Sequence, residues 1–307
     1  MKKVFIDGSA GTTGLRIKER LSKRRDIELI TLSEEKRKDN EARRDALNHA
    51  DIAFLCLPDD AAREAVSMIE NPNTAVIDTS TAHRTLDTWA YGFPELYGMR
   101  EKIKNSKRIA NPGCHASGFV ALVAPLVKAG IIPASTPLCA YSITGYSGGG
   151  KKMIGEYEDE NRPSDFSAPR QYALSQEHKH LKEMVKICGL EKAPFFSPIV
   201  DNFYSGMQTS VALHREQINA GREEIEKIYK EMYTSPIVFY TDSADNGGFL
   251  ASSKLSRLDS MQISVHGNNE RIMLTATFDN LGKGASGAAV QNMNILLGCE
   301  ETLGLEL

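Results

Sequence analysis

Five cysteines are scattered through the 307 residues, and Cys114 stands where a thiol can do chemistry. It follows a tight turn, Asn111-Pro112-Gly113, and opens an apolar run containing Phe119, Val120, Leu122, Val123, Leu126 and Val127. The pattern predicts a helix over 114–128 with Cys114 in its first turn. There the helix dipole and the N–H groups of the helix start favour thiolate over thiol. The same N–H groups can hold the oxyanion formed at an attacked carbonyl. Cys56, inside an apolar strand, and Cys188, on an apolar helix face, read as buried small hydrophobes. Cys139 and Cys299 carry no motif, and no CxxC pair occurs. Neither a metal site nor a disulfide framework is expected, so the thiols are free to react in a reducing, cytoplasmic setting.

A thiol nucleophile needs a partner that moves protons. The segment Ser175-Gln176-Glu177-His178-Lys179-His180-Leu181 offers two histidines, which titrate in the right range. It reads as a helix start with Ser175 as N-cap, a buried face of Leu181, Met184, Val185 and Cys188, and Gly189 as its end. Both histidines then flank the buried face, His178 nearer its centre. His115 is less suited, because adjacent residues point apart on a helix.

A second constellation sits at the N-terminus. Gly8-Ser9-Ala10-Gly11-Thr12-Thr13-Gly14 lies between a short strand, Val4–Ile6, and a helix through Leu15, Ile17 and Leu21. A glycine turn there lets backbone N–H groups and a helix N-terminus approach a dinucleotide pyrophosphate. Gly8, Ala10, Gly11, Thr12, Thr13 and Gly14 are the candidate contacts. The next strand ends at Leu32-Ser33. Ser33 can hydrogen-bond a 2′-phosphate and Lys36 or Arg37 can neutralise it, while Glu34 argues for NAD; the balance favours NADP. Arg84 follows the fourth strand, where ligands of such sheets gather and where a guanidinium suits a phosphate. Gly148-Gly149-Gly150-Lys151 can form an anion nest or simply a flexible loop.

The elements that must position these residues fall into two sets. Ile27–Leu32, Asp51–Leu57 and Ala75–Asp78 read as strands, with a helix at Ala61–Ile69. Alternation of strand and helix predicts an α/β, Rossmann-like parallel sheet over 1–112, completed by a closing helix in 284–307. Residues 113–283 carry strands at Leu138–Thr144, Gln208–His214, Ile237–Tyr240, Met261–His266 and Arg271–Phe278. Few helices separate them, so a mostly antiparallel α+β catalytic and dimerisation domain is expected. The net charge of −3 leaves no footprint for nucleic acid, and no apolar run approaches the roughly 20 residues of a membrane helix. The Lys36–Lys38 run with Arg43 and Arg44, interleaved with Glu34, Glu35, Asp39 and Glu41, reads as solvated surface.

Taken with Asp78-Thr79-Ser80-Thr81-Ala82-His83-Arg84, Tyr91-Gly92-Phe93-Pro94-Glu95-Leu96 and Asp279-Asn280-Leu281-Gly282-Lys283-Gly284-Ala285, these motifs carry a resemblance. The chain resembles the shorter branch of the N-acetyl-γ-glutamyl-phosphate reductases over nearly its whole length. Aspartate-semialdehyde dehydrogenases are the nearest competitor, and a non-catalytic dinucleotide-binding regulator is the alternative from another class. The resemblance implies NADPH-dependent reduction of a small acyl phosphate through a Cys114 thioester, in arginine biosynthesis, by a homodimer or homotetramer. It implies that His178 is the acid–base group, with His180 as runner-up. It further implies that Asn280 and Lys283 face the nicotinamide, and that Arg84, Asn111, Ser147 and Gly148 meet the substrate. Tyr204, Gln208 and Arg170 are unranked candidates for reading the acetyl group.

Overall fold

The structure is a computed structural model describing all 307 residues. The chain forms two compact units: Met1–Pro94, Gly98–Gly113 and Ala285–Leu305 in one, Glu95–Tyr97, Cys114–Gly284 and Glu306–Leu307 in the other.

The first unit begins β1 (Lys2–Asp7), α1 (Thr12–Leu21), β2 (Ile27–Ile30), α2 (Asn40–His49), β3 (Ile52–Leu55), α3 (Asp59–Ser67) and β4 (Ala75–Asp78). It continues β5 (Ala90–Tyr91), α4 (Met99–Lys104) and β6 (Arg108–Ala110). The strands form one parallel sheet in the order β2-β1-β3-β4-β6-β5. Strand alternation explains the two layers of helices. Val4, Ile6, Ile52, Phe54 and Ile77 point to one face and join Ile17, Leu21 and Ile103. Phe5, Ala53, Leu55 and Val76 point to the other and join Ala46, Leu47, Ala62 and Ala65. Both faces are buried, as a doubly wound parallel sheet requires.

The second unit opens with α5 (Cys114–Lys128), the helix that the turn and apolar run predict. It continues β7 (Cys139–Gly145), α6 (Gly150–Glu158), β8 (Arg170–Gln171), α7 (Leu181–Cys188), β9 (Phe195–Asp201) and β10 (Met207–His214). Then come α8 (Arg222–Met232), β11 (Val238–Tyr240), β12 (Met261–Gly267) and β13 (Arg271–Phe278). After a wide π turn, Gly282–Ser286, the closing α9 (Gly287–Leu297) joins the first unit and packs on its first face through Ala289, Val290 and Met293. The seven-stranded sheet has the order β11-β12-β13-β10-β7-β9-β8. Its β11–β12 and β7–β9 pairs are parallel and the others antiparallel, so the sheet is mixed.

One face of this sheet carries α5, which packs on β10 and β13 with α7 and α8 beside it. The approach is close: a Cβ at Gly118 would lie 2.5 Å from Thr209 Oγ1. Pro125 inside α5 cannot donate to the Ala121 carbonyl, and the Tyr233 hydroxyl fills that gap at 2.6 Å. The other face carries one exposed row, Phe195, Cys139, Ala212 and Met273, directly opposed across four strands.

Gly8 shows why the first turn needs glycine. Its φ is +83°, and a Cβ there would lie 2.3 Å from the Cys56 carbonyl oxygen at the end of β3. Gly8→Ala is expected to cost about 1–3 kcal/mol in urea denaturation. Gly11→Ala, at an ordinary φ of −74° with no neighbour nearer than 3.5 Å, is expected to stay within about 0.5 kcal/mol of the parent. Equal stability of the two variants would contradict the strain argument.

Candidate active site

In the first unit the neighbours of β1 fix the place of a ligand. The chain leaves β1 for α1 and β2 on one side, and β3 pairs on the other, so a crevice opens beyond the carboxyl ends of β1 and β3. A cavity of about 400 Å³ lies there, lined by Gly8, Ser9, Ala10, Lys18, Leu32, Glu34, Arg37, Lys38 and Arg43 among others. The N-terminus of α1 has no side-chain cap and no acidic residue in its first turn. Its dipole is therefore offered to an anion. Gly8 and Ala10 border the cavity; Gly11, Thr12, Thr13, Gly14 and Ser33 do not line it, although the first four form the turn and helix start behind it. These features fit a dinucleotide.

Arg43 corrects the reading of the basic stretch as solvated surface. Helix α2 turns Ala46 and Leu47 inward, and Arg43, one turn earlier, is carried in with them. Its Nη2 donates to Asp7 Oδ2 at 3.0 Å and its Nε at 3.1 Å. Burial pushes the Asp7 carboxyl up while Arg43 opposes that shift. No local signal in the sequence pairs residues so far apart.

Loop 79–84 is built on Asp78. Asp78 accepts from Ser80 N and Ser80 Oγ, and shares a 2.6 Å bond with His83 Nδ1, whose ring stacks on Trp89 at 4.0 Å. Arg84 is held by the loop it follows, donating to Thr79 O at 2.8 Å and to Asn111 O at 2.9 Å. Asn111, expected to meet substrate, is bonded within the fold. It is 1% exposed. Its Nδ2 donates to Ala285 O, and its Oδ1 accepts from Asn292. Those bonds hold the turn that precedes Cys114.

In the second unit Cys114 is partly exposed at the first residue of α5, while the next nine residues are buried. Burial pushes the Cys56 thiol up to about 12 and the Cys188 thiol higher still, which suits inert packing. Around the start of α5 lie three histidines. The His115 ring is 5.5 Å from His178 and 5.8 Å from His180, and Phe196 packs against both His115 and His178. His115 is buried rather than turned away from the cluster. Burial, aided by His178 and Lys179, lowers its pKa to about 3. Burial lowers that of half-buried His178 to about 4, so both rings are neutral at pH 7.

The histidine segment departs from the expected helix start. Helix α7 begins at Leu181, so Ser175 is not its cap and both histidines stand on the preceding turn. The cause is at Gln176, whose φ is +60° and whose side chain both donates to Phe196 O and accepts from Phe196 N at 2.9 Å. That pairing ties the segment to β9 instead of extending the helix. His178 Nδ1 accepts the His180 N–H at 3.2 Å, which puts the proton of the neutral ring on Nε2.

The remaining predicted residues form a second cluster. Asn280 donates to Ser147 Oγ at 3.0 Å and accepts from Gly206 N at 2.9 Å, with exposed Gly148 beside it. Asn280 and Ser147 are both buried. Lys283, expected at the nicotinamide, is fully buried with its Nζ 2.9 Å from both oxygens of Glu95. Its charge is matched inside the protein. Gln208 lies on the same sheet face as exposed Ala212, opposite to α5, because side chains two apart on β10 share a face. Arg170 stacks 3.5 Å over the Phe166 ring. Tyr172, which the sequence did not single out, bonds His115 Nε2 at 2.6 Å.

The buried ion pair gives a test. Lys283→Met removes the buried cation facing the Glu95 carboxylate and is expected to destabilise by about 3–5 kcal/mol in chemical denaturation. The double variant Lys283→Met, Glu95→Leu is expected to recover most of that loss. A double variant as unstable as the single one would show that the pair is not the source.

Comparisons with known proteins agree with this two-unit fold. The semialdehyde dehydrogenase NAD binding domain matches residues 3–106, and the semialdehyde dehydrogenase dimerisation domain matches residues 114–280. A protein of Nostoc sp. named N-acetyl-gamma-glutamyl-phosphate reductase 2 is 44% identical over 99% of both chains. Proteins named N-acetyl-gamma-glutamyl-phosphate reductase from Rhizobium meliloti and Chelativorans sp. are 44% and 46% identical, covering 96% of this chain and 98% of theirs. Among solved structures, aspartate semialdehyde dehydrogenase II of Vibrio cholerae shares the fold with a TM-score of 0.73 at 17% identity, covering 97% of this chain and 98% of its own. The NADP complex of the Candida albicans enzyme gives 0.64 at 16% identity with the same coverage. No helix is long and apolar enough to cross a membrane.

Proposed function

The chain belongs to the N-acetyl-gamma-glutamyl-phosphate reductases, within the semialdehyde dehydrogenase family, and on that premise we propose how its residues carry the reaction. The substrate is N-acetyl-L-glutamyl 5-phosphate and the products are N-acetyl-L-glutamate 5-semialdehyde and phosphate, a step of arginine biosynthesis. The observation that carries this reading is Cys114, partly exposed at a helix start whose next residue, His115, packs against His178.

A nicotinamide dinucleotide, bound over Gly8–Gly14, supplies a hydride. NADP is favoured over NAD, because Lys18, Arg37 and Lys38 line the cavity near Ser33; Glu34 is tied to Arg37 at 2.7 Å. The other steps belong to the protein. Cys114 sulfur attacks the acyl carbon, and the oxyanion is held by the start of α5. The carbonyl re-forms, phosphate leaves with a proton from solvent, and a thioester on Cys114 remains. Reduction gives a thiohemiacetal oxyanion, whose collapse frees the semialdehyde and the sulfur. His178 is the acid–base group: its neutral Nε2–H donates to the oxyanion, and its half-exposed ring exchanges protons with solvent.

We assign the exposed row Phe195, Cys139, Ala212 and Met273, with Tyr141 nearby, to a second copy of the chain in a homodimer or homotetramer. Tyr141, Phe195 and Met273 are 49%, 54% and 40% exposed, a large apolar surface for one sheet face. The free cysteines suit a cytoplasmic setting.

Two experiments test this. Phosphate-dependent oxidation of N-acetyl-glutamate semialdehyde is expected with NADP at a higher kcat/KM than with NAD, and Cys114→Ser should lower it by on the order of 10³-fold or more. Activity retained in that variant would remove the thioester. Separately, Met273→Asp is expected to shift sedimentation toward monomer; an unchanged assembly would place the interface elsewhere.

A further inference from the structure

We propose that the Tyr172 hydroxyl is a further working group of the thiol site, donating a hydrogen bond to the Cys114 sulfur, and that His115 is the positioning residue that aims it. The inference rests on the reading of Cys114 as nucleophile.

Four neutral polar side chains form one continuous chain inside the second unit. Thr209 Oγ1 lies 3.0 Å from Ser142 Oγ, Ser142 Oγ lies 2.7 Å from His115 Nδ1, and His115 Nε2 lies 2.6 Å from Tyr172 Oη. They come from β10, β7, α5 and the segment after β8. Thr209 and Ser142 are fully buried and His115 is 3% exposed. A run of bonds this deep, reaching the partly exposed Tyr172, needs a consistent direction. His115 stays neutral, so one ring nitrogen donates and the other accepts.

Only one direction leaves a proton for the thiol. Thr209 donates to Ser142, Ser142 donates to His115 Nδ1, and His115 Nε2–H donates to the Tyr172 oxygen. The phenol O–H is then released to donate outward. His115 follows Cys114 in the chain, so its 2.6 Å bond brings the Tyr172 hydroxyl to the start of α5, and burial, with a smaller contribution from Cys114, keeps the phenol protonated. A phenol held by a neutral imidazole can thus stabilise the anion without adding a charge to a dry site. The titratable groups packed around this array are His178, Lys179 and His180 on the turn before α7, and Glu183 on α7 itself. The reverse direction, with His115 donating to Ser142 and Tyr172 donating inward, would give the phenol no part in the chemistry.

The experiment follows iodoacetamide alkylation of Cys114 against pH, read by peptide mass, together with kcat and KM. Tyr172→Phe keeps the ring and removes only the hydroxyl. Losing a hydrogen bond to a charged group is expected to move the alkylation midpoint up by about 1 pH unit. It should also lower kcat about tenfold near neutral pH, with KM within about twofold. His115→Leu is expected to reproduce that shift, and His115→Gln, whose amide can still donate to Tyr172, to restore part of it. Should His115→Leu fail to fold, Ser142→Ala tests the same link and should give a smaller shift in the same direction. A Tyr172→Phe profile that superimposes on the parent, with Cys114 still alkylated, overturns the role of Tyr172 and leaves the nucleophile standing. Full turnover in Cys114→Ser would instead overturn the underlying reading.

Discussion

The buried polar groups around Asn111 make up the constraint on which loop 79–84, α9 and the turn before α5 depend. Its N–H donates to Asp78 O, and its own carbonyl accepts from Arg84. Its side chain joins Ala285 and Asn292 across more than 170 residues of sequence. A buried amide with its partners in place can adopt only one pose, since any other leaves polar groups unsatisfied. Loop 79–84, α9 and the turn before Cys114 are therefore fixed by the same residue. Asp78 adds a second tie, because the carboxylate that bonds His83 also holds Ser80. Arg84 and the turn before α5 inherit their positions from this one polar junction.

The second unit solves a different problem. It sets Cys114, partly exposed, at the edge of an apolar interior. Its histidines stay neutral because burial disfavours their charged forms. The buried Lys283 ammonium is held by the Glu95 carboxylate at 2.9 Å. The close seat of α5 at Gly118 and the tyrosine bond at the Pro125 gap keep the helix rigid beneath the thiol.

In the nucleotide crevice the same logic appears at the level of the backbone. Gly8 takes a left-handed conformation because β1 and β3 end too close together for a side chain. The Asp7–Arg43 pair beneath it places a buried ion pair at the cavity wall. Lys18, Arg37 and Lys38 then supply the positive charge at the rim, where an anionic cofactor arrives and where solvent screens what is left.

Local patterns determined a large share of this protein. The helix over Cys114–Lys128, the strands Ala75–Asp78 and Arg271–Phe278, the glycine turn after β1 and the pairing of a parallel sheet with a mostly antiparallel one were legible in the sequence, whereas the two parallel pairs that make the second sheet mixed were not. Each legible feature is set by neighbours within a few residues: a turn, a period of two, a period near four. The short strands β5, β6 and β8 and the helices α2, α4, α6 and α8 were not, because their apolar content is too sparse to stand out before packing selects a face. Motifs also marked Cys114 and His178 as chemistry, but not how they are held. Tertiary structure alone decided that Arg43 meets Asp7, that Lys283 meets Glu95, and that Gln176 ties His178 to β9. It alone joined His115 to Tyr172. The reason is physical: these are single contacts between distant residues, made when buried polar groups must find partners, and nothing periodic in the chain records them.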